Sequence, residues 1–326
     1  MSDATTLPVV RSAPRLSTGS RGRSGRRRVE RPAEFAFSTS GSTGEPVVWL
    51  RSRDQVEYEA GLLATLCGAE DADGVVCFAP PTHLYGHLMG IALPRQLGLP
   101  GRLVRLTQPL RWAFAGLRRP LVAAMPGAVA ALTHSLPTLR RLDRLVLVHG
   151  SSVLTPATVT LLAELGGRAR LVDLFGSTET GLVATRHAAD AAWSPAPDVT
   201  VHTEVRTGRL VVASPRIAHR PGTPAQTQVV LEDVVTLRPD RTFRWVGRAS
   251  RLLKVNGRRV YLDQVEATLR TAVPEAVTRC EPNRDPRRGE WFDVVVDSTG
   301  RQGVRAVERA CQSLPAYQRP RWVRAG

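Results

Sequence analysis

The stretch Ser38–Pro46 reads STSGSTGEP and combines hydroxyl side chains with two glycines before a closing proline. Apolar residues on either side of this stretch indicate two strands, so the stretch is predicted to be the loop between them. Hydroxyls and backbone N–H groups in such a loop can converge on one point and bind phosphate oxygens. A flexible serine and glycine turn is the alternative.

Two later stretches favour the phosphate interpretation. Leu174–Gly181 reads LFGSTETG, and Gly247–Glu266 reads GRASRLLKVNGRRVYLDQVE. In this order, the three stretches resemble the signature regions of the adenylate-forming superfamily, which includes acyl- and aryl-CoA synthetases, peptide-synthetase adenylation domains and luciferases. The resemblance covers about Phe35–Val323. A narrower resemblance, to stand-alone ligases of aryl-polyene and xanthomonadin pathways, also rests on Pro81–Gly86 and Trp193–Pro195.

The resemblance implies a two-step reaction. A carboxylic acid reacts with ATP and Mg²⁺ to give an acyl-adenylate and pyrophosphate, and a thiol then displaces AMP. The thiol is that of coenzyme A or of carrier-protein phosphopantetheine, which makes an acyl carrier protein a candidate partner. An aryl or aliphatic acid is the expected substrate, since no acidic residue is recognisable as a partner for an amino acid's ammonium group. The alternative is a degenerate relative that binds nucleotide or acyl-adenylate without catalysis.

The resemblance also assigns catalytic and ribose-binding roles to individual residues. Thr178 is expected to contact phosphate and Glu179 to hold Mg²⁺, while His83 is expected between the carboxylate and phosphate sites. Asp233 is expected to accept from both ribose hydroxyls, with Arg248 near the ribose and phosphates. The alternatives are a helix N-terminus at residues 177–179, a structural histidine, a turn acid and a surface arginine.

The adenine-binding and phosphate-binding residues follow from the same resemblance. The adenine is expected to lie against Phe175, with Asp173 accepting from its amino group. Small residues are expected to let the backbone approach the base and the phosphates. The nucleotide-binding residues implied in these small-residue segments are Ser40, Gly41, Ser42, Thr43, Gly44, Ser151, Ser152 and Gly176.

Lys254 is the one lysine among 45 basic residues, the others being arginine. This composition excludes a GxxxxGK[ST] phosphate loop, because Leu253 rather than a glycine precedes the lysine. The resemblance implies that Lys254 faces the site after the C-terminal domain rotates for the thiol step, where an ammonium group could stabilise developing charge. A solvated lysine on a hairpin is the alternative.

The chain departs from the family pattern in several places. Val47 stands where a lysine usually follows the loop, and Ser250 stands in place of a hinge aspartate. Full-length relatives have a large segment before the phosphate loop, and the resemblance, which begins near that loop, leads us to expect a core without it. Leu314–Pro320 resembles the approach to the lysine of the adenylation step, but only Arg321 and Arg324 follow as candidate cations, and arginine is not equivalent to lysine. Slow adenylation, or a site completed by another subunit, is therefore expected.

Composition narrows the class of protein. The 326 residues are 42% apolar and 23% charged, which is ordinary for a globular chain. No apolar run is long enough to cross a bilayer, no secretion signal is recognisable, and the cysteines lack metal-binding spacing, so a cytoplasmic location is expected. The net charge is +16, but nucleic-acid-binding motifs are missing and aromatic residues make up only 5%, so no specific nucleic-acid partner is expected.

Hydrophobic patterns predict an α/β fold with parallel βαβ units between residues 75 and 174, where apolar runs alternate with helical stretches. Ser52 is predicted to cap a helix that extends to about Cys67. Other predicted helices are 109–119, 126–135 and 155–165. Short β-rich runs between residues 199 and 246 predict an antiparallel region. The predicted domains are a disordered basic tail (1–34), an adenylate-forming core (35–249) and a small α+β lid (250–326).

Overall fold

The computed structural model of the protein describes residues 34–39, 47–150, 154–255, 258–285, 289–297 and 300–326. These residues form two units, which we name by position. The N-terminal unit comprises the described residues up to Ala191 together with Ala196–Val199 and Ala213–Gln228. The C-terminal unit comprises Ala192–Pro195, Thr200–Val212 and the described residues from Val229 onward. The predicted tail lies outside the described residues except for Glu34, and the lid boundary near residue 250 stays a prediction.

The described strands of the N-terminal unit are β1 (Glu34–Thr39), β2 (Val47–Ser52), β3 (Val75–Cys77), β4 (Gly101–Leu103), β5 (Leu121–Ala124), β6 (Leu145–His149), β7 (Ala169–Ser177) and β8 (Gly181–Arg186). Its described helices are α1 (Arg53–Leu66), α2 (Leu84–His87), α3 (Leu93–Leu97), α4 (Leu110–Ala113), α5 (Pro126–His134), α6 (Leu136–Leu139) and α7 (Pro156–Leu165). A π-helical turn, Leu88–Ala92, joins α2 to α3, and a 3₁₀ turn, Gly166–Arg168, follows α7.

A sheet of parallel strands forms the centre of this unit. Its order is β4-β3-β5-β6-β7, and β8 continues it antiparallel to β7. Every residue of β3, β5 and β6 is buried, because helices cover both faces of a parallel sheet and leave no side of these strands to water. The predicted α/β class is therefore confirmed. β1 and β2 form a separate antiparallel pair.

The sequence predicts α1 through its cap. The Ser52 hydroxyl accepts from the Gln55 N–H while the Gln55 side chain accepts from the Ser52 N–H, which is a complete capping box. By contrast, the helix predicted at 109–119 is only the four residues of α4. Gly116 lies in the left-handed region with φ 74°, which ends the helical path early.

The described strands of the C-terminal unit are β9 (Ser194–Pro195), β10 (Thr200–Thr203), β11 (Arg209–Ala213), β12 (Gln228–Leu237), β13 (Phe243–Arg248), β14 (Leu252–Val255), β15 (Arg258–Tyr261), β16 (Val277–Asp285), β17 (Gly289–Asp297) and β18 (Val323–Ala325). Its described helices are α8 (Leu262–Ala272) and α9 (Gly300–Gln312), with 3₁₀ turns at Ala249–Arg251 and Ala316–Gln318. β10-β11-β12-β13 form one sheet, β14-β15 a hairpin and β16-β17-β18 a further sheet.

The predicted α+β character after residue 250 is confirmed, although sequence reasoning missed two strands, β16 and the short β18. β16 carries charged residues and Pro282, so its pattern does not alternate like that of a half-buried strand. In its sheet, β16 is an edge strand that pairs with β17 on one side, and a proline is tolerated in an edge strand. The buried side chains of α8, β17 and α9 pack into one apolar cluster in this part of the unit. No helix among the described residues is long and apolar enough to span a bilayer.

Candidate active site

The candidate site of the N-terminal unit is built at the carboxyl edge of its parallel strands. Tyr85, on α2, donates from its hydroxyl to the carbonyl oxygen of Val148 at 2.8 Å and lies 3.4 Å from that of Ala124. Burial raises the pKa of this hydroxyl well above its usual range, so it stays protonated. Tyr85 therefore joins the segment after β3 to the ends of β5 and β6, at the edge where open α/β sheets bind ligands.

Two close contacts at this edge depend on glycine. A Cβ on Gly150 would lie 3.1 Å from the Tyr85 ring, so a side chain there would press on the ring. A Cβ on Gly176 would collide with the carbonyl oxygen of Gly181 across the β7–β8 pair. Glycine at these positions thus allows the close approach of the Tyr85 ring and of the Gly181 carbonyl group.

The two histidines at the ends of α2, His83 just before it and His87 at its last residue, have different surroundings. His83 precedes the helix, is exposed, and accepts the His87 N–H at its carbonyl oxygen at 2.9 Å. His87 is 7% exposed, with its ring centroid 4.8 Å from that of Phe35 and 5.4 Å from that of Phe37. Burial lowers the pKa of His87. His83 is available to a ligand, whereas His87 is part of the packing.

Thr178 and Glu179 lie at the tip of the β7–β8 hairpin. Ser177 pairs with Gly181, and the Thr180 hydroxyl accepts from the Ser177 N–H at 3.0 Å. The carbonyl oxygen of Glu179 accepts the Ala218 N–H at 2.8 Å. The alternative of a helix N-terminus at residues 177–179 is therefore wrong, because the chain turns back into an antiparallel strand. The half-buried Glu179 carboxylate forms no hydrogen bond or ion pair within the described part of the chain.

Behind this turn lies a buried cluster of four charged side chains, which we call the charge cluster. Arg51 and Glu59 are joined by a 2.9 Å ion pair and are 0% and 1% exposed. Arg216 lies 3.3 Å from the same Glu59 oxygen and contacts both carboxylate oxygens of Asp198, at 2.7 and 2.9 Å. Two positive and two negative charges thus balance, as a site removed from water requires.

The charge cluster is bonded to the backbone of the hairpin on both sides of its tip. Arg51 donates from Nε to the carbonyl oxygen of Thr178 at 3.3 Å, and the Leu182 N–H donates to Glu59 at 2.6 Å. Arg216 donates to the carbonyl oxygen of Leu182 at 2.7 Å. Burial lowers the pKa of Arg51 against the opposing charge of Glu59, and the charge of Glu179 also acts on it. The cluster therefore fixes the turn that carries Thr178 and Glu179.

Gly181 is required where the hairpin meets the charge cluster. Its φ of 69° is left-handed, and a Cβ there would lie 2.6 Å from Glu59 Oε1 and 2.8 Å from Arg51 Nη2. Any side chain at this position would strain the backbone and push into buried charges.

Asp173 is placed differently from the expected adenine contact. Its side chain is almost fully buried, with Oδ1 2.8 Å from His149 Nδ1 and Oδ2 2.8 Å from Arg186 Nε. Both carboxylate oxygens are used inside the protein, because the charged Arg186 and the buried His149 converge on this carboxylate. We therefore interpret Asp173 as a buried structural acid beneath the edge of β6 and β7, and its contact with adenine stays a prediction.

The C-terminal unit holds the other predicted site residues. Asp233 on β12 faces Arg248 on β13, with Oδ1 3.9 Å from Arg248 Nε and 2.8 Å from Trp245 Nε1. The Arg248 N–H donates to Asp263 at 2.9 Å. Lys254 lies on β14 opposite Arg259 of β15. The predicted Ser40–Gly44 and the pair Ser151 and Ser152 lie outside the described residues.

Comparison with known proteins identifies the family. The AMP-binding enzyme family matches residues 30–220, which is more than half of the chain. The chain belongs to this family. The matched range contains His83 and the segment Asp173–Glu179, whereas the candidate ribose-binding residues and Lys254 follow it.

This AMP-binding enzyme has relatives of known description. It is 28% identical over 303 residues to a 4-coumarate–CoA ligase of Halorhodospira halophila, a match that covers 90% of this chain and 72% of that protein. It is 27% identical over 238 residues to a 4-coumarate–CoA ligase of Cereibacter sphaeroides, covering 70% of this chain and 51% of that protein. The chain thus spans about half the length of the second relative.

Two solved structures share the fold of this AMP-binding enzyme. The anthranilate CoA ligase AuaEII in complex with anthranoyl-AMP superposes with a TM-score of 0.71 at 18% identity, covering 89% of this chain and 63% of that one. ATP-bound MatB from Rhodopseudomonas palustris gives 0.71 at 18% identity, with 91% and 65% covered. The predicted superfamily and fold are confirmed. The narrower resemblance to aryl-polyene and xanthomonadin ligases finds no support in these relatives and stays a prediction.

Sequence reasoning missed the charge cluster and Tyr85. One signal was present: Glu59 falls in the buried stripe of α1 with Val56, Ala60 and Leu63, where the helical period calls for an apolar residue. A charge at such a position requires a buried partner. Arg216 and Asp198, which complete the cluster, are too distant in the sequence for any spacing to reveal them.

The residues of this AMP-binding enzyme fit a nucleotide-borne Mg²⁺ rather than a cage made only of protein ligands. The described residues contain no group of three or more histidine, cysteine or acidic side chains arranged to hold a metal. Mg²⁺ usually takes one or two carboxylates and fills its shell with phosphate oxygens and water. Glu179, whose carboxylate forms no hydrogen bond or direct ion pair with the described residues, meets that need.

Proposed function

We propose that the protein is an AMP-forming acid–thiol ligase. It joins a carboxylic acid to the α-phosphate of ATP, releases pyrophosphate, and passes the acyl group from the adenylate to a thiol. The observation that carries this proposal is the Thr178–Glu179 turn, held by buried charges at the carboxyl edge of a parallel sheet in an AMP-binding family member. The match to two 4-coumarate–CoA ligases supports an aryl carboxylic acid as substrate and coenzyme A as acceptor. A carrier-protein phosphopantetheine is the alternative acceptor.

The residues would divide the first step between them. The substrate carboxylate attacks the α-phosphorus while the bond to the bridging oxygen of pyrophosphate breaks, so negative charge must be offset throughout. Thr178 would donate its hydroxyl to a phosphate oxygen, and Glu179 would hold Mg²⁺, which neutralises phosphate charge when bound. The exposed His83 would lie where the acid meets the phosphate. Phe175 would pack against adenine.

The remaining roles fall in the C-terminal unit. Asp233 would accept hydrogen bonds from the ribose hydroxyls, and Arg248 would add positive charge near the phosphates. Lys254 would stabilise charge during thioester formation, when the thiolate attacks the acyl carbon and AMP departs. Val47 stands where relatives usually have a lysine, and this supports a second candidate, a degenerate relative that binds nucleotide without turnover.

Carboxylate-dependent exchange of labelled pyrophosphate into ATP tests the first step. The panel should contain benzoic, cinnamic and fatty acids, with 4-coumaric acid as the first member. We expect exchange with one class of acid, reduced at least about a hundredfold in Glu179→Ala because a charge-offsetting contact is lost. The control is Glu164→Ala, an acid on α7 that is 49% exposed and paired with Arg140. A folded wild type that binds AMP but exchanges with no acid would contradict the ligase proposal and favour the binding protein.

A further inference from the structure

The strands β12 and β13 pair with an irregularity next to Asp233. Asp233 lies opposite Arg248 and Val235 opposite Trp245, so Val246 is an extra residue on β13. Trp245 and Arg248 are three residues apart, and in a regular strand they would face opposite sides. The bulge at Val246 turns both of them to the side of Asp233, and bulges of this kind commonly re-aim side chains beside functional sites.

The two side chains converge on one oxygen of Asp233. The indole Nε1 of Trp245 donates to Oδ1 at 2.8 Å, while the guanidinium Nε of Arg248 lies 3.9 Å from the same atom. The Arg248 side chain is 61% exposed and its contact is long, so solvent weakens it. The Trp245 bond is short, within one sheet, and to a carboxylate that is 17% exposed. An indole N–H can only donate, so Trp245 requires an accepting carboxyl oxygen of Asp233.

We infer that Trp245 is a positioning residue that fixes the Asp233 carboxylate for the ribose hydroxyls and thereby sets the preference for ribonucleotides. The inference rests on the proposed function, in which Asp233 binds the ribose. A carboxylate can accept from two neighbouring hydroxyls only when its plane is held toward them, and a freely rotating carboxylate loses that alignment. Trp245 holds one oxygen and so selects the rotation of the group.

Nucleotide binding by calorimetry tests this inference, with AMP and 2′,3′-dideoxy-AMP as probes. Trp245→Phe keeps an aromatic ring but removes the donor, and Asp233→Asn removes the charge. The matched control is Trp322→Phe, which changes an exposed indole of the same unit. We expect Trp245→Phe to weaken AMP binding about tenfold, the effect of one hydrogen bond to a charged group, and to leave dideoxy-AMP within about twofold. A merely structural defect would weaken both nucleotides alike.

The outcomes separate this inference from the proposed function. If Asp233→Asn abolishes the preference for AMP and Trp245→Phe retains it, the inference is overturned while the ribose assignment stands. If Asp233→Asn retains the preference, the ribose assignment and the inference both fail. A wild type that binds neither nucleotide would overturn the proposed function and the inference together.

A measurement on the wild type tests the inference even if the substituted proteins do not fold. With ¹⁵N-labelled tryptophan, one of the six indole N–H signals should shift on saturation with AMP and stay in place with dideoxy-AMP. No signal with this selectivity would overturn the inference.

Discussion

Replacing Glu59 by glutamine should strongly destabilise the N-terminal unit. The substitution keeps the shape of the side chain and an oxygen for the Leu182 N–H, but it removes the carboxylate that pairs with both Arg51 and Arg216. Among the described residues, Arg216 then keeps its pair with Asp198, while Arg51 keeps no directly paired carboxylate and interacts only with the charge of Glu179. Removing one partner of a buried ion pair costs about 3–5 kcal/mol, because the other charge stays buried without compensation. Since glutamine retains one hydrogen bond, we expect a loss of about 3 kcal/mol in the free energy of unfolding.

Urea denaturation at neutral pH measures this loss. Two further variants serve as an exposed-pair control and as a test of the coupling between Arg51 and Glu59. Glu164→Gln breaks a 2.8 Å pair with Arg140 whose side chains are 49% and 53% exposed, so it should cost less than about 1 kcal/mol. The double variant Arg51→Met/Glu59→Gln removes one charge of each sign and should be more stable than Glu59→Gln alone, with a coupling of at least about 1 kcal/mol. A Glu59→Gln loss in the range of the exposed control, or additive effects in the double variant, would refute the reasoning.

Three other predictions test separate features. Gly181→Ala should lower the free energy of unfolding by more than Gly166→Ala does. Both positions have a left-handed φ, but a Cβ on Gly181 would meet Glu59 and Arg51, whereas a Cβ on Gly166 would meet open space. Equal losses would contradict the steric argument. Burial lowers the pKa of His87 below 6.5, so the unfolded chain takes up more protons than the folded chain as the pH falls through that value. The wild type should therefore lose thermal stability relative to His87→Gln between about pH 7.5 and 5.5. Melting temperatures that change equally with pH in the two proteins would count against this prediction. Lys254→Ala should slow thioester formation from preformed acyl-adenylate by about a hundredfold, more than it slows pyrophosphate exchange, and normal thioester formation would exclude the assigned role.

The features that the sequence predicts well are local. The capping box of Ser52 and Gln55 lies within four consecutive residues, and the buried strands β3, β5 and β6 are short apolar runs bounded by turns. The hairpin motif LFGSTETG can likewise be recognised from consecutive residues alone. Each of these depends on interactions between near neighbours, which a single sequence records directly.

The features that it does not predict depend on distant pairing. Asp173 has a motif that suits adenine, yet its carboxylate is used by His149 and Arg186, and only the register of β6, β7 and β8 determines this. The bulge that turns Trp245 toward Asp233 leaves no trace in composition, because it is a property of how β12 and β13 align. The motifs thus predict where the candidate site lies, whereas the groups that hold the hairpin and Asp233 depend on pairing between distant residues.

The charge cluster also bears on how the chain folds. Arg51 and Glu59 are eight residues apart, and Asp198 and Arg216 are 18 residues apart, so each ion pair can form early within its own short segment. Each segment then carries no net charge from the pair when the two meet. The segment that holds Arg51 and Glu59 and the segment that holds Asp198 and Arg216 can therefore each bring a neutral ion pair into the core, rather than an isolated charge. Variants that unbalance one half should accordingly slow folding as well as speed unfolding.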